Sequence, residues 1–129
     1  VGGGALGRGG GGDAGPGSYR HALEVRAQGK FMGTVVQLQI APGEAEMVDA
    51  KKAGTIKTAA DLKGKTLGVT ELGSGTHTLT LALLGKAGLA GTDASFVGVG
   101  AGDTFIAAMQ NGKIDAGMTT EPTISRLIK

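Results

Sequence analysis

The chain has no cysteine and no tryptophan, and among its 129 residues only one tyrosine and three phenylalanines. The missing cysteine excludes disulfide stapling and thiolate metal sites. With so few aromatic residues, a core must be built from Leu, Ile, Val, Ala and Met. That suits tightly packed α/β layers better than a β-sandwich, which leans on aromatic side chains. No apolar run reaches the roughly 18 residues that a membrane span requires. Excess charge is also missing: the formal net charge is +2, and the thirteen basic residues are scattered along the sequence. Without a basic stripe or a recognisable reading motif, nucleic acid is not an expected partner.

What the sequence has in plenty is glycine, with 26 residues. Many fall in residues 1–17, where Arg8, Asp13 and Pro16 are among the few interruptions. Such a stretch loses more chain entropy on ordering than it recovers by burial, so it reads as a flexible tail. It is not a phosphate-cradling loop, because no strand precedes it and no Lys-Ser or Lys-Thr pair follows. The chain begins at Val1. No charged-then-apolar leader follows, so a signal peptide is not visible and an internal fragment of a longer protein is expected.

After Ser18, a plausible N-cap, residues 19–28 read as a short helix closed by Gly29. Residues 31–40 read as a strand broken by Ala41-Pro42-Gly43, and a second extended piece falls near residues 46–50. The remainder repeats one theme. Strands at 66–70, 95–99 and 114–118 each lead through a loop into a helix. The expected helices cover 76–87, 103–110 and a last stretch toward Ile128, with Asp103 as an N-cap and Gly88 and Gly112 as exits. Alternating strands and helices imply a parallel sheet with right-handed crossovers.

In an open α/β sheet, ligands sit beyond the carboxyl ends of the parallel strands. Two loops there are glycine-rich, residues 71–77 and 98–103. Glycine lets backbone approach a ligand, and the first N–H groups of a helix have no partner within it. A carboxylate, sulfonate or nitrate fits such an end, with Ser74 and Thr76 adding hydroxyl donors. The alternative is that Ser74 or Thr76 merely caps the helix, and the loop's composition leaves both readings open. His21 and His77 are the only histidines. Neither can be assembled into a Ser-His-Asp set, and no histidine or glutamate pair has metal-ligand spacing. Asp61 and Asp115 read as structural, Asp61 in a short turn and Asp115 at a strand start.

The order of the pieces resembles a known family. Ile56, the run Asp61-Leu62-Lys63-Gly64-Lys65 and Gly68-Val69 are similar to a signature of type II periplasmic binding proteins. Gly73-Ser74-Gly75-Thr76-His77 resembles the loop of the nitrate/sulfonate/taurine-type branch. So do Lys86-Ala87-Gly88-Leu89, Val97-Gly98-Val99-Gly100, the run from Ala107 to Ala116, Glu121-Pro122, and Gly17-Ser18-Tyr19-Arg20-His21. The sequence departs from the family pattern in its glycine-rich start, at Leu72, where proline is common, and at Arg20, where glutamate is common.

The resemblance implies an α/β, type II periplasmic-binding-protein-like lobe with a parallel or mixed sheet flanked by helices, and an incomplete second lobe. Residues 18–43 would belong to lobe one and a hinge strand, 44–119 to lobe two, and 120–129 to the return hinge and the start of a lobe-one helix. Ser74, Gly75, Thr76 and His77 would form the lobe-two contact loop. Ser18 and Tyr19 would face it, and Thr120 and Glu121 would lie near the hinge. The implied function is a solute-binding receptor of an ABC importer, extracytoplasmic and monomeric, without cofactor, metal or catalysis. It would capture a small anionic solute for a membrane permease. Members of the same scaffold that work as enzymes in thiamine-pyrimidine or menaquinone synthesis, or as sensors, supply the alternatives.

Overall fold

The computed structural model describes Leu23, residues 26–29 and residues 43–129. The chain divides into two units, Val1–Pro42 and Gly43–Lys129. In the first, Leu23, Arg26 and Ala27 are helical, and Gly29 has a φ of 76°, as the expected glycine exit requires. The glycine-rich start, Ser18, Tyr19, His21 and the strand expected at 31–40 lie outside the described residues.

The second unit is built on a four-stranded sheet: β1 (Glu44–Val48), β2 (Thr66–Val69), β3 (Ser95–Gly98) and β4 (Ala116–Thr120), in the order β1-β4-β2-β3. Helix α1 (Gly75–Lys86) follows β2, α2 (Asp103–Gln110) follows β3, and α3 (Thr123–Ile128) follows β4. Strands β2, β3 and β4 run parallel, as the strand–helix alternation implies. The sheet is nevertheless mixed. Strand β1 pairs antiparallel with β4, Glu44 opposite Thr120 and Val48 opposite Ala116. No helix joins β1 to β4 in sequence, so the crossover argument does not govern its direction.

The two sheet faces carry separate clusters. On one, Leu67 and Ala116 pack with Ile56, Leu62 and Leu84 of α1. On the other, Phe105, Ala108 and Met109 of α2 pack with Ile114. Alternation along the strands produces this division, since Val48 and Ala116 share the first face and Met47 the second. Gly68 and Gly117 are register partners on the α2 side. A Cβ on Gly117 would lie 2.7 Å from Phe105 Cζ, and one on Gly68 2.5 Å from Ile114 Cδ1. The glycine pair lets α2 lie directly on the strands.

Three expectations need adjustment. The last strand begins at Ala116 rather than at position 114. Ile114 is instead fully buried against α2, and the Asp115 carboxylate takes the Thr66 N–H at 2.7 Å. Position 102, not Asp103, is the N-cap of α2, because Gly102 holds φ 68° and ψ −131° and Asp103 is already helical. The extended piece near 46–50 is the edge strand β1, displaced to residues 44–48.

Asp61 and Asp115 do hold structure together. Asp61 Oδ2 accepts the N–H groups of Lys57 and Thr58 at 3.0 and 2.8 Å, which pull its pKa down. Asp115 pairs with Lys52, which holds its carboxyl below the usual range, and so ties the turn after β1 to the starts of β2 and β4.

Candidate ligand-binding site

The loop between β2 and α1 is organised by Ser74. Its side chain accepts from His77 N at 3.4 Å, and Thr78 N donates to its carbonyl, so Ser74 is the N-cap of a 12-residue helix. The capping reading of Ser74 therefore holds. Ser74 and Thr76 are only 3% and 4% exposed, which leaves their hydroxyls little access to solvent.

Those hydroxyls form a closed triangle with Thr70, the residue just after β2. Thr70 Oγ1 donates to Ser74 Oγ at 3.1 Å, and the other two sides are both 2.8 Å. Each hydroxyl carries one proton, and three sides consume three protons. Thr70 N also donates to Thr76 Oγ1 at 3.0 Å. The triangle satisfies itself and braces the loop. Thr70 was not legible as part of this site. A polar residue at a strand's carboxyl end, four positions before a helix cap, was the signal available.

With the hydroxyls committed, the unspent donors are in the backbone. Among the described residues, the N–H groups of Gly75 and Thr76 in the first turn of α1 have no hydrogen-bond acceptor. His77 Nδ1 accepts from Gly73 N at 2.9 Å, which puts the ring proton of the neutral imidazole on Nε2. The ring is also held against Phe96, centroids 4.6 Å apart. An oriented amide pair at the positive end of a helix dipole is equipped to hold an oxyanion, and His77 carries a further N–H in the same helical turn.

Three amides of the second glycine loop are spent on packing. Val99 N and Gly100 N donate to Val69 and Thr70 carbonyls, and Gly102 N donates to Thr123 Oγ1 at 3.0 Å. Asp103, at the start of α2, pairs with Arg126 at 2.5 Å. A carboxylate at that helix end repels an anion. Thr120 ends β4 at the same sheet edge as Thr70, opposite Glu44 across the β1 register. Glu121 lies beyond it, joined to Pro122 by a cis peptide, with Oε2 taking the Ser125 N–H at 3.1 Å. Ser18 and Tyr19 lie outside the described residues.

One further group was missed in the sequence. Glu46 lies on the α1 face of the sheet, and Thr80 Oγ1 approaches its Oε2 at 3.4 Å and the Thr76 carbonyl at 2.9 Å. Its Oε1 is buried without a partner among the described residues. Burial pushes this carboxyl up to about 7, against a smaller downward pull from Thr80. A lone glutamate in a short exposed-looking strand gave no sign of this.

Among the described residues, no group of three or more His, Asp or Glu could hold a metal ion. No described helix is long and apolar enough to cross a membrane.

The mixed sheet, the helices on both faces and the glycine-serine loop at the carboxyl edge define an α/β lobe of the type II periplasmic-binding-protein class. Residues 22–129 match the NMT1-like family, and the chain belongs to it. A solved structure from Bordetella bronchiseptica RB50 is similar, with 38% identity, 96% of this chain and 40% of that one covered, and a TM-score of 0.82. The alkanesulfonate-binding protein from Xanthomonas axonopodis pv. citri, bound to MOPS, is 34% identical, with 67% of this chain and 28% of that one covered and a TM-score of 0.60. The periplasmic aliphatic sulphonate binding protein from Escherichia coli is 33% identical, again with 67% and 28% covered and a TM-score of 0.57. The chain thus spans 40% or less of the length of these relatives. No curated protein matches the sequence.

Proposed function

We propose that the chain is part of a solute-binding receptor of an ABC importer, working outside the cytoplasm. In this reading it captures a small oxyanion-bearing solute for a membrane permease and carries out no chemistry itself. The observation that carries the reading is the amide pair of Gly75 and Thr76, which has no acceptor among the described residues and stands beside the Thr70–Ser74–Thr76 triangle at the carboxyl edge of the sheet. The likeness to two sulfonate-binding proteins supports a sulfonate or a chemically related anion. Residues 44–119 would form one lobe, 120–129 the return hinge, and 18–43 part of the other lobe. Ser18 and Tyr19 would then approach the ligand from across the cleft, with Thr120 and Glu121 near the hinge.

The rim beside the amides carries Glu71, Asp103 and Glu121 as exposed carboxylates. Attraction for an anion must therefore come from the local amides and His77 rather than from the field of the rim.

A thermal-shift screen of the protein at its full natural length tests the proposal, using nitrate, taurine, alkanesulfonates, aromatic carboxylates and pyrimidines. Binding to the native state alone raises the melting temperature by mass action. A shift with an anion that disappears in Gly75→Val supports the receptor. Turnover of a pyrimidine, or of a chorismate-like compound, without any anion shift moves the assignment to an enzyme on this scaffold.

A further inference from the structure

The lysines that look scattered in sequence are gathered by the fold. Strand β1 ends where β2, β3 and β4 begin, and α1 also ends there. This pole, opposite the Ser74–His77 loop, is made of residues 49–65, 86–94 and 111–115. It carries Lys51, Lys52, Lys57, Lys63, Lys65, Lys86 and Lys113, seven cations against the four carboxylates of Asp49, Asp61, Asp93 and Asp115.

Those carboxylates are turned inward to the chain's own donors. Asp49 accepts Lys51 N, Asp61 accepts Lys57 N and Thr58 N, Asp93 accepts Ala90 N, and Asp115 takes Lys52 and Thr66 N. Five of the seven lysines are turned outward, Lys52 and Lys65 being half-buried. Lys51, Lys57, Lys86 and Lys113 are exposed and make no ion pair among the described residues, and Lys63 stands 4.0 Å from Asp93. Among the described residues of the second unit, the far pole has the opposite sign, with Glu44, Glu71, Asp103 and Glu121 against Arg126.

We propose that this lysine pole seats on an anionic lipid surface, with phosphate headgroups as the counter-charge. The character of the pole favours lipid over a protein partner. Its three segments contain no aromatic residue and no arginine, the types that anchor protein–protein hot spots. Of its large apolar side chains, Ile56, Leu62 and Ile114 are buried in the core and Leu89 packs half-buried against it. What remains outside is mainly small residues and lysines. Lysines are point charges on flexible stems, suited to a diffuse plane of charge rather than to a shaped pocket. Several lysines near an anionic leaflet each add about a fivefold gain in partitioning. The acidic opposite pole turns away from the same surface, so the second unit lands in one orientation. The proposal does not rest on the identity of the solute.

Co-sedimentation of the protein at its full natural length with lipid vesicles is the test. Vesicles of phosphatidylcholine with about a quarter phosphatidylglycerol should bind it, and vesicles of phosphatidylcholine alone should not. Binding should fade as salt rises from about 0.05 to about 0.5 M, as the screening length shrinks. The triple variant Lys51→Gln/Lys57→Gln/Lys113→Gln should lose about a hundredfold in partitioning, and Arg126→Gln should lose none. Equal binding to neutral vesicles, insensitivity to salt, or an unaffected triple variant overturns the proposal. So does tighter binding to soluble polyglutamate than to the vesicles, which points to an acidic protein. Should the triple variant fail to fold, the lipid and salt series with the unaltered chain decides alone.

Discussion

Gly68 and Gly117 face each other across the parallel register of β2 and β4, and Phe105 and Ile114 occupy the space their missing side chains leave. Gly117 is the tighter of the two. A methyl there meets Phe105 Cζ and the Gly68 carbonyl oxygen, both at 2.7 Å. The carbonyl is backbone and cannot rotate aside, and Phe105 is fully buried. Gly117→Ala should cost about 1–3 kcal/mol by overpacking. Gly68→Ala meets mainly the flexible end of Ile114 and should cost less. Urea denaturation of the two variants checks the order, and a larger loss at position 68 would contradict it.

Glu46 should make stability depend on pH in an unusual direction for a carboxylate. In the unfolded chain it loses its proton near 4.5, but in the fold only at about 7. Between these values the folded state holds the proton more tightly, so stability is greatest below the lower value. It should fall as pH rises across the window and level off above about 7, with a total loss of about 3 kcal/mol. Glu46→Gln keeps the shape and removes the titration. That variant should flatten this part of the pH profile and be the more stable protein at pH 8. Parallel pH profiles for the two proteins would sink the idea.

Asp115 acts in the opposite sense. Lys52 holds its carboxyl below the ordinary range, so its contribution is complete at neutral pH and is lost only in acid, as pH falls through the lowered value. Asp115→Ala leaves the Thr66 N–H and the Lys52 ammonium without this partner. A loss of about 1–3 kcal/mol is expected from the orphaned donors. Hydrogen exchange should speed at Thr66 before it does at Gly117.

The hydroxyl triangle predicts that Thr70 matters as much as the residues of the glycine loop. Thr70→Val keeps the shape but removes one proton and one acceptor, leaving Ser74 and Thr76 short of a partner while buried. About 1–2 kcal/mol of stability should be lost, close to the cost of removing the cap itself in Ser74→Ala. A double-mutant cycle between positions 70 and 76 should show coupling, and additive losses would mean that the triangle is not a unit.

How far sequence carries depends on how local the interaction is. The β2-α1, β3-α2 and β4-α3 order, the exits at Gly88 and Gly112, and the capping role of Ser74 all follow from hydrophobic periodicity and backbone rules acting over a few residues. Asp61 was legible for the same reason, since it binds amides three and four positions away. The antiparallel course of β1 was not, because no helix ties it to its neighbour β4. Nor was the pairing of Gly68 with Gly117, which exists only once the strand register is set.

The chain's own sequence determined its class of fold and the place of a glycine-serine loop at the sheet's carboxyl edge, because periodicity, caps and turns are short-range. Tertiary structure decided which donors of that loop are spent within the described residues. It brought Thr70 against Ser74 and Thr76, buried Glu46 beneath Thr80, and spent three amides of the second glycine loop on Val69, Thr70 and Thr123. It also turned lysines from three separate stretches into one charged pole. Each of these depends on distances between residues far apart in sequence, which only packing sets.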